Sequence, residues 1–432
     1  MHTLQALIGM LFLIGVAYAA STNRKAINWR IVGAGLLIQS ALFVLITYVP
    51  AVNGVFSAVG TGFARLLSFA GEGAGFVFGD LANPAKFGFI FAFVVLPVIV
   101  FFSALTALLY HLGILQRVVA GMAWFMKRTM KLSGPESLTV AGNIFLGQTE
   151  APLLIRPYIR HMTKSELACV MVAGMSTLAG GVLAAYVSFL GGADTAEQAK
   201  FATMLLTASF MNAPAAVVFA KIMFPEDDAE HESGQDAHEA DEPEGSTFIS
   251  AIVGGAFDGA KMATAIATIL IAIVSLIAMI NFVLKDGLGD AIGVNALIAS
   301  TTGGVFDGLT LQYLFGQVFR VFAFMMGVSW AESLQVGSLI GQKIVLNEFI
   351  AYLDLAKLKE AGALSPQAIL ISTFALSSFS NFGSVGISVA GIGALAPNKQ
   401  KTLAQIGMRA LLAAVMAGFM TATIAGLWLS VL

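Results

Sequence analysis

Runs without Asp, Glu, Lys or Arg dominate this chain, and roughly 20 apolar residues are enough to cross a hydrocarbon core as a helix. Eight such runs extend from Met1 to Asn23, Ile31 to Ala64 (broken at Pro50), Phe87 to Gln116, Leu167 to Ala193, Phe201 to Ala220, Met262 to Leu284, Ala361 to Asn398, and Ala410 to Leu432. Each predicts a spanning helix. The first has no basic leader and no small-residue cleavage site followed by a soluble domain, so it reads as a retained span rather than a signal peptide.

Two other regions are apolar yet too short to span. Ser137 to Thr149 stops at Glu150, and Val321 to Ala331 leads into a patterned run that reaches Glu348. Short, charge-interrupted segments in matching places predict re-entrant hairpins. The tips match in kind: Gly147-Gln148-Thr149-Glu150-Ala151-Pro152 and Val345-Leu346-Asn347-Glu348-Phe349-Ile350 each run from an apolar approach through an amide or hydroxyl to a carboxylate and back. The spacing beyond them repeats too. Glu150 precedes Gly180 and Gly181 by 30 and 31 residues, and Glu348 precedes Asn381 by 33. At those distances lie Ser176-Thr177-Leu178-Ala179-Gly180-Gly181 and Ser377-Ser378-Phe379-Ser380-Asn381-Phe382-Gly383-Ser384, both too rich in Gly and Ser for good helix centres. Unwound backbone at bilayer depth must line a cavity or be buried in protein. The two breaks are therefore expected to face one polar site, as in secondary transporters that build a midplane site from helix ends and freed carbonyls.

Composition sharpens the picture. Hydrophobic residues make up 58% of the 432 and charged ones only 11%, against about 25% charged in soluble domains, which excludes a soluble fold. One cysteine, Cys169, excludes a disulfide framework. A net charge of −2, with the basic residues in short clusters, provides no continuous face for nucleic acid.

Those clusters orient the spans, because Lys and Arg in short loops stay cytoplasmic. Arg24, Lys25 and Arg30 follow span one; Arg117, Lys127, Arg128 and Lys131 follow span three; Arg156, Arg160 and Lys164 precede span four; Lys399, Lys401 and Arg409 separate spans seven and eight. Alternating spans put all four on one side, both termini outside, and the two hairpins in opposite senses, an inverted repeat. The loop from Pro225 to Gly245 then lies inside. It is acidic and lacks hydrophobic periodicity, so it reads as disordered, and the spacing of His231 and His238 fits no standard metal motif. Lys261 pairs with Asp258 in a three-residue helical step and receives no transport role.

Three motifs carry a family resemblance. Gly147-Gln148-Thr149-Glu150-Ala151-Pro152-Leu153-Leu154 resembles the first hairpin of the concentrative nucleoside transporters. Gly341-Gln342-Lys343-Ile344-Val345-Leu346-Asn347-Glu348-Phe349-Ile350-Ala351-Tyr352 fits that family's pattern of Gly, any, Lys, any three, Asn-Glu-Phe, an aliphatic, Ala and an aromatic. Phe379-Ser380-Asn381-Phe382-Gly383-Ser384 is similar to its broken-helix segment. The chain thus looks like a bacterial member. The resemblance implies an all-α polytopic membrane protein of eight transmembrane helices and two oppositely oriented re-entrant hairpins. It would divide into the first two spans with an interfacial segment (1–85), a scaffold span (86–131), a first repeat (132–223), the acidic loop (224–247), a second scaffold span with its connection (248–305), and a second repeat (306–432). Spans three and six would stand as a fixed scaffold in a homotrimer of the bacterial inner membrane while the repeats move as an elevator.

The chemistry is carried over residue by residue. Glu348 and Asn381 suit a diol, and the resemblance assigns them to ribose, with Ser384 beside them; the plainer role for Glu348 is ion pairing with Lys343. Gln148 can make the two opposite hydrogen bonds that the amide edge of a nucleobase requires, and the resemblance has it meet the base, with Thr149 and Glu150 reaching it through water. The plainer role for Gln148 and Thr149 is helix capping. Phe379 and Val182 would form apolar walls, near sugar and base respectively, where core packing is the alternative. The resemblance places a coupling Na+ between the first hairpin and the break in span four. Its ligands would be the Asn143 and Thr177 side chains and the Leu146 and Leu178 carbonyls, while the plainer role for Asn143 is to satisfy the hairpin turn. Gly147 and Gly181, ahead of Gln148 and Val182, leave room for a purine, so uridine, cytidine and adenosine are the expected substrates.

The alternatives are a proton-coupled nucleoside symporter in which Glu150 or Glu348 exchanges protons, a passive channel, and an intramembrane hydrolase. Against the last, the five histidines form no HExxH pair and no GxSxG occurs. Sodium-coupled nucleoside import, without enzyme chemistry, is the leading expectation.

Overall fold

The computed structural model describes residues 2–226 and 247–431; the acidic run with His231 and His238 lies outside them. Among the described residues the elements are helical and none is a strand, as expected where each backbone group must be satisfied within its own segment. The helices of nine residues or more are α1 (His2–Ala19), α2 (Trp29–Tyr48), α3 (Pro50–Phe78), α4 (Leu96–His111), α5 (Ile114–Met130), α6 (Gly134–Gly142), α7 (Lys164–Ser176), α8 (Gly180–Gly191), α9 (Thr195–Met223), α10 (Phe248–Asn281), α11 (Leu311–Met325), α12 (Ser333–Val345), α13 (Glu348–Glu360), α14 (Pro366–Leu376), α15 (Phe382–Leu395) and α16 (Gln400–Val431). Six helical runs, at 29–48, 91–111, 164–191, 195–223, 248–289 and 397–430, are long and apolar enough to cross a membrane.

Burial sorts them into centre and rim. Of the most apolar stretch of 164–191, 94% is buried, against 6% for 248–289. The paired helices α7 and α8, with α9 and α16, form the interior, and α10 turns Ile271, Val274 and Met279 outward. On its other side α10 lies close along α4: a Cβ at Gly255 would sit 2.6 Å from the Ala107 Cβ, and one at Gly259 2.8 Å from the Val100 Cα. Small residues allow this approach where helix packing, rather than hydrophobic expulsion, holds helices together.

Both predicted breaks are present. Thr177 to Ala179 separates α7 from α8, and Ser377 to Asn381 separates α14 from α15. Several boundaries differ from expectation. The third apolar run ends at His111, because Gly113 (φ 70°) turns the chain into α5, which contains Gln116. α10 begins at Phe248 and α16 at Gln400, well before Met262 and Ala410. Lone charges do not end a helix when they pair locally, as Asp258 and Lys261 do at 3.1 Å. The run from Val321 to Ala331 is the end of α11 and the following turn, not part of a hairpin. The second helix pair with a tight tip is instead α12 and α13, joined at Leu346–Asn347.

The first hairpin-like unit starts with α6, capped by a reciprocal Ser133–Glu136 box. Its base is tied down by Lys221 of α9, which pairs with Glu136 at 2.6 Å and donates to the Ser165 hydroxyl at 3.0 Å.

Candidate functional site

Glu348 opens α13, directly after the tip of the second helix pair. Asn347 caps that helix by accepting the Ile350 N–H at 3.1 Å, which leaves Glu348 in the first turn, where the helix dipole favours a carboxylate. The side chain is 3% exposed. Tyr186 Oη donates to Oε1 at 2.9 Å, and Asn381 Nδ2 donates to Oε2 at 2.9 Å. Asn381 in turn caps α15, its Oδ1 accepting the Ser384 N–H at 2.9 Å. From α15 the network crosses to the first hairpin: Gln148 Nε2 donates to Ser384 Oγ at 3.3 Å, and Ser388 Oγ donates to Gln148 Oε1 at 3.1 Å. One buried polar chain therefore runs Tyr186–Glu348–Asn381–Ser384–Gln148–Ser388 between the two units. Its carboxylate keeps lone pairs for hydroxyl donors, and its amide offers a donor beside an acceptor.

A second cluster lies between the first hairpin and the α7–α8 break. The Gly180 N–H donates to the Phe145 carbonyl at 3.2 Å, holding turn and break together. Asn143 is fully buried; its Nδ2 donates to the Thr139 carbonyl at 3.0 Å, whereas its Oδ1 has no donor among the described residues. Thr177 Oγ1 donates to the Ala173 carbonyl at 3.0 Å and keeps its acceptor capacity, and the Ser176 hydroxyl is buried without a partner. Leu146 and Leu178 belong to the two non-helical segments that this bond joins. An unpaired buried acceptor costs about 1–3 kcal/mol. A hard cation surrounded by oxygens relieves that cost, and the C-terminal end of α7 presents the negative pole of its dipole here. The residues therefore fit a sodium-sized ion. Gly174 joins the two clusters, because a Cβ there would meet the Gln148 Cβ at 3.0 Å and the Asn143 Oδ1 at 3.7 Å.

Comparison with known proteins decides the family. Models of the Na+ dependent nucleoside transporter N-terminus and C-terminus match residues 8–81 and 204–426, and a nucleoside recognition (Gate) model matches 92–193. An uncharacterized transporter of Haemophilus influenzae is 40% identical over 99% of this chain and 98% of its own length. Sodium/nucleoside cotransporter 1 of Homo sapiens is 36% identical over 97% of this chain, which spans 63% of it. The solved structure of CNTnw in an inward-facing substrate-bound state is 38% identical, with a TM-score of 0.86 and coverage of 100% of this chain and 99% of that one. The chain belongs to the concentrative nucleoside transporter family.

In this family member the expected site residues fall into three groups. Gln148, Glu348, Asn381 and Ser384 share the polar chain, and Asn143 and Thr177 flank the first hairpin's contact with the α7–α8 break. Val182 lies one helical turn before Tyr186 on α8 and is 3% exposed, while Phe379 sits half-buried in the α14–α15 break. Thr149 and Glu150 stand apart. Thr149 is exposed, with its methyl toward Gly391 of α15, and Glu150 folds back to accept the Gly147 N–H at 3.1 Å. Glu150 instead borders a cavity of about 560 Å³ against α4 and α10, shared with Ser103, Thr106, Arg156 and Asp258. The Lys343 alternative is settled by geometry, since its Nζ binds the Ala375 carbonyl and the Ser378 hydroxyl rather than Glu348. Gly181 faces α4, where a Cβ would meet Ser103 Oγ at 3.4 Å, and Gly147 faces Ala179 and Glu150 at 3.7 Å. Their space thus adjoins α4 and the α7–α8 break.

Tyr186 and Ser388 were missed by sequence reasoning. The usable signal was helical period: each lies four residues after an assigned position, Val182 and Ser384, and so on the same face.

Proposed function

We propose that this chain is a sodium-coupled nucleoside symporter importing uridine, cytidine and adenosine by an elevator-type alternating-access mechanism. The observation that carries this reading is the buried chain from Glu348 to Gln148, contributed by both repeats and adjoining the orphaned Asn143 Oδ1. Glu348 and Asn381 accept and donate to the ribose hydroxyls, with Ser384 beside them. Gln148 exchanges its bonds to Ser384 and Ser388 for the amide edge of the base, and Thr149 and Glu150, which stand apart from the polar chain, reach that edge only through water, Glu150 by releasing the Gly147 N–H. Val182 and Phe379 supply the apolar walls. Asn143 and Thr177 side chains, with the Leu146 and Leu178 carbonyls, hold sodium, which locks the first hairpin against the α7–α8 break and so preorders Gln148.

The same reading has eight spans and two inverted re-entrant hairpins, with α6 and the following 3₁₀ turn forming the first and α12 and α13 the second. Both termini lie outside, and three copies assemble in a bacterial inner membrane through the scaffold of α4 and α10. The supporting relatives are named as sodium/nucleoside cotransporters. The test is uridine binding to purified protein by titration calorimetry, in sodium and in choline. Binding in sodium that is lost in choline is expected, with Asn143→Ala and Thr177→Ala each raising the sodium needed for half-saturation. Unchanged sodium curves in both variants would favour the proton-coupled reading, in which Glu150 or Glu348 exchanges protons.

A further inference from the structure

Counted back from the first residue of each break, Thr177 and Ser377, Asn143 and Lys343 both lie 34 residues upstream. Each break opens directly after its first half-helix, since α7 stops at Ser176 and α14 at Leu376. The position equivalent to the proposed sodium ligand Asn143 is therefore held by a lysine. That lysine is fully buried. Its Nζ donates to the Ala375 carbonyl at 3.0 Å and to Ser378 Oγ at 2.6 Å, and Ser378 Oγ lies 3.0 Å from Ser380 Oγ within the break. The Nζ thus sits at the C-terminal end of the first half of a broken helix, where freed carbonyls and the dipole favour a positive charge. In the first repeat Asn143 Oδ1 comes close to the last turn of α7, 3.7 Å from where a Cβ at Gly174 would sit, but has no donor among the described residues.

We propose that Lys343 is a covalently tethered cation that does permanently in the second repeat what the exchangeable sodium ion does in the first. Its ammonium fastens the second hairpin to the α14–α15 break, so Glu348 and Asn381 remain in register whether or not sodium is bound. Only the half of the site that contains Gln148 is then gated by sodium. The asymmetry yields one ion-controlled repeat and one fixed repeat from a duplicated architecture. The proposal rests on the sodium reading above for the comparison between repeats, but its effect on Glu348 stands apart from that reading.

The experiment measures uridine affinity of the purified full chain across a sodium titration, together with the sodium-induced shift in melting temperature without nucleoside. Lys343→Met removes the charge and supplies no oxygen. Uridine affinity at saturating sodium is expected to fall about tenfold or more, as loss of hydrogen bonds to a buried charged group implies, with the steepness of the sodium dependence unchanged. Lys343→Asn restores the residue type of the first repeat. Its affinity is expected to recover as sodium rises, with a steeper sodium dependence and a larger melting shift than wild type, as a second ion enters. Affinity within twofold of wild type in Lys343→Met, or a wild-type sodium slope in Lys343→Asn, overturns the proposal. Should neither variant fold, Ser378→Ala decides: a severalfold loss of uridine affinity supports the tether, and an unchanged affinity removes it. Asn143→Ala serves as the control for the underlying reading. A wild-type sodium curve in that variant defeats the sodium assignment, while the Lys343→Met result still reports on the ribose half.

Discussion

In the proposed reading substrate recognition turns on Glu348, a buried carboxylate whose neighbours are donors that leave it lone pairs to spare. Charge-assisted hydrogen bonds are about twice as strong as neutral ones. Glu348→Gln is therefore expected to lower uridine affinity by roughly tenfold or more, and wild type should bind 2′,3′-dideoxyuridine far more weakly than uridine. Equal binding of the two nucleosides would remove ribose from this position. Tyr186→Phe deletes only the donor to Glu348 Oε1, and a hydrogen bond to a charged group contributes about 1.5–3 kcal/mol. A smaller loss than in Glu348→Gln is expected, and it should vanish when measured in the Glu348→Gln background; two independent losses that simply add would mean Tyr186 does not act through Glu348. At this scale much was legible. An intramembrane carboxylate stands out in the sequence by the cost of putting it there, and Glu348 does meet the Gly- and Ser-rich break, through Asn381. Tyr186 was not legible, because a tyrosine on an apolar helix gives no local sign that its hydroxyl crosses to a different repeat, 162 residues away. Nor did the sequence reveal that Glu150 turns inward to its own hairpin backbone while Gln148 crosses to α15.

Elements were read well where composition alone forces the outcome. The breaks at 177–179 and 377–381 follow from residues that form poor helices, and the Asn381 cap of α15 is of a residue type that favours that position. Boundaries set by charge were read poorly: α10 and α16 both extend through charged residues that a hydropathy criterion treats as ends. The second hairpin was displaced for a related reason, because the apolar end of α11 resembles a hairpin arm until the turn at Gly327 (φ 104°) separates it. The close packing of α4 and α10 makes its own prediction. Gly259→Leu adds a branched chain where a Cβ alone would approach the Val100 Cα to 2.8 Å, and overpacking costs about 1–3 kcal/mol. The variant should show a lower melting temperature and a smaller folded fraction by fluorescence-detected size exclusion. Gly254→Leu, five positions earlier on a face with nothing within 4 Å, should behave as wild type. Identical profiles for the two variants would mean that α4 and α10 do not rely on this contact.

For the whole molecule, the two hairpin-and-break units meet at one polar chain, and the orphaned oxygens of Asn143 and Ser176 lie beside the first. Coupling then has a simple physical form. In the proposed reading sodium fills the orphaned oxygens around Asn143, orders the first hairpin and completes the half of the site that contains Gln148, so nucleoside and ion favour each other's binding reciprocally. The number of assembled copies was not readable from helix patterns, since the outward apolar residues of α10 suit lipid and protein neighbours alike. The most direct measurement of sodium-coupled import is uridine uptake into proteoliposomes under an imposed inward sodium gradient, against an equal proton gradient without sodium. Sodium coupling predicts transient accumulation above equilibrium in the first condition and none in the second. Accumulation driven by protons alone, or equilibration without accumulation in both, would contradict it.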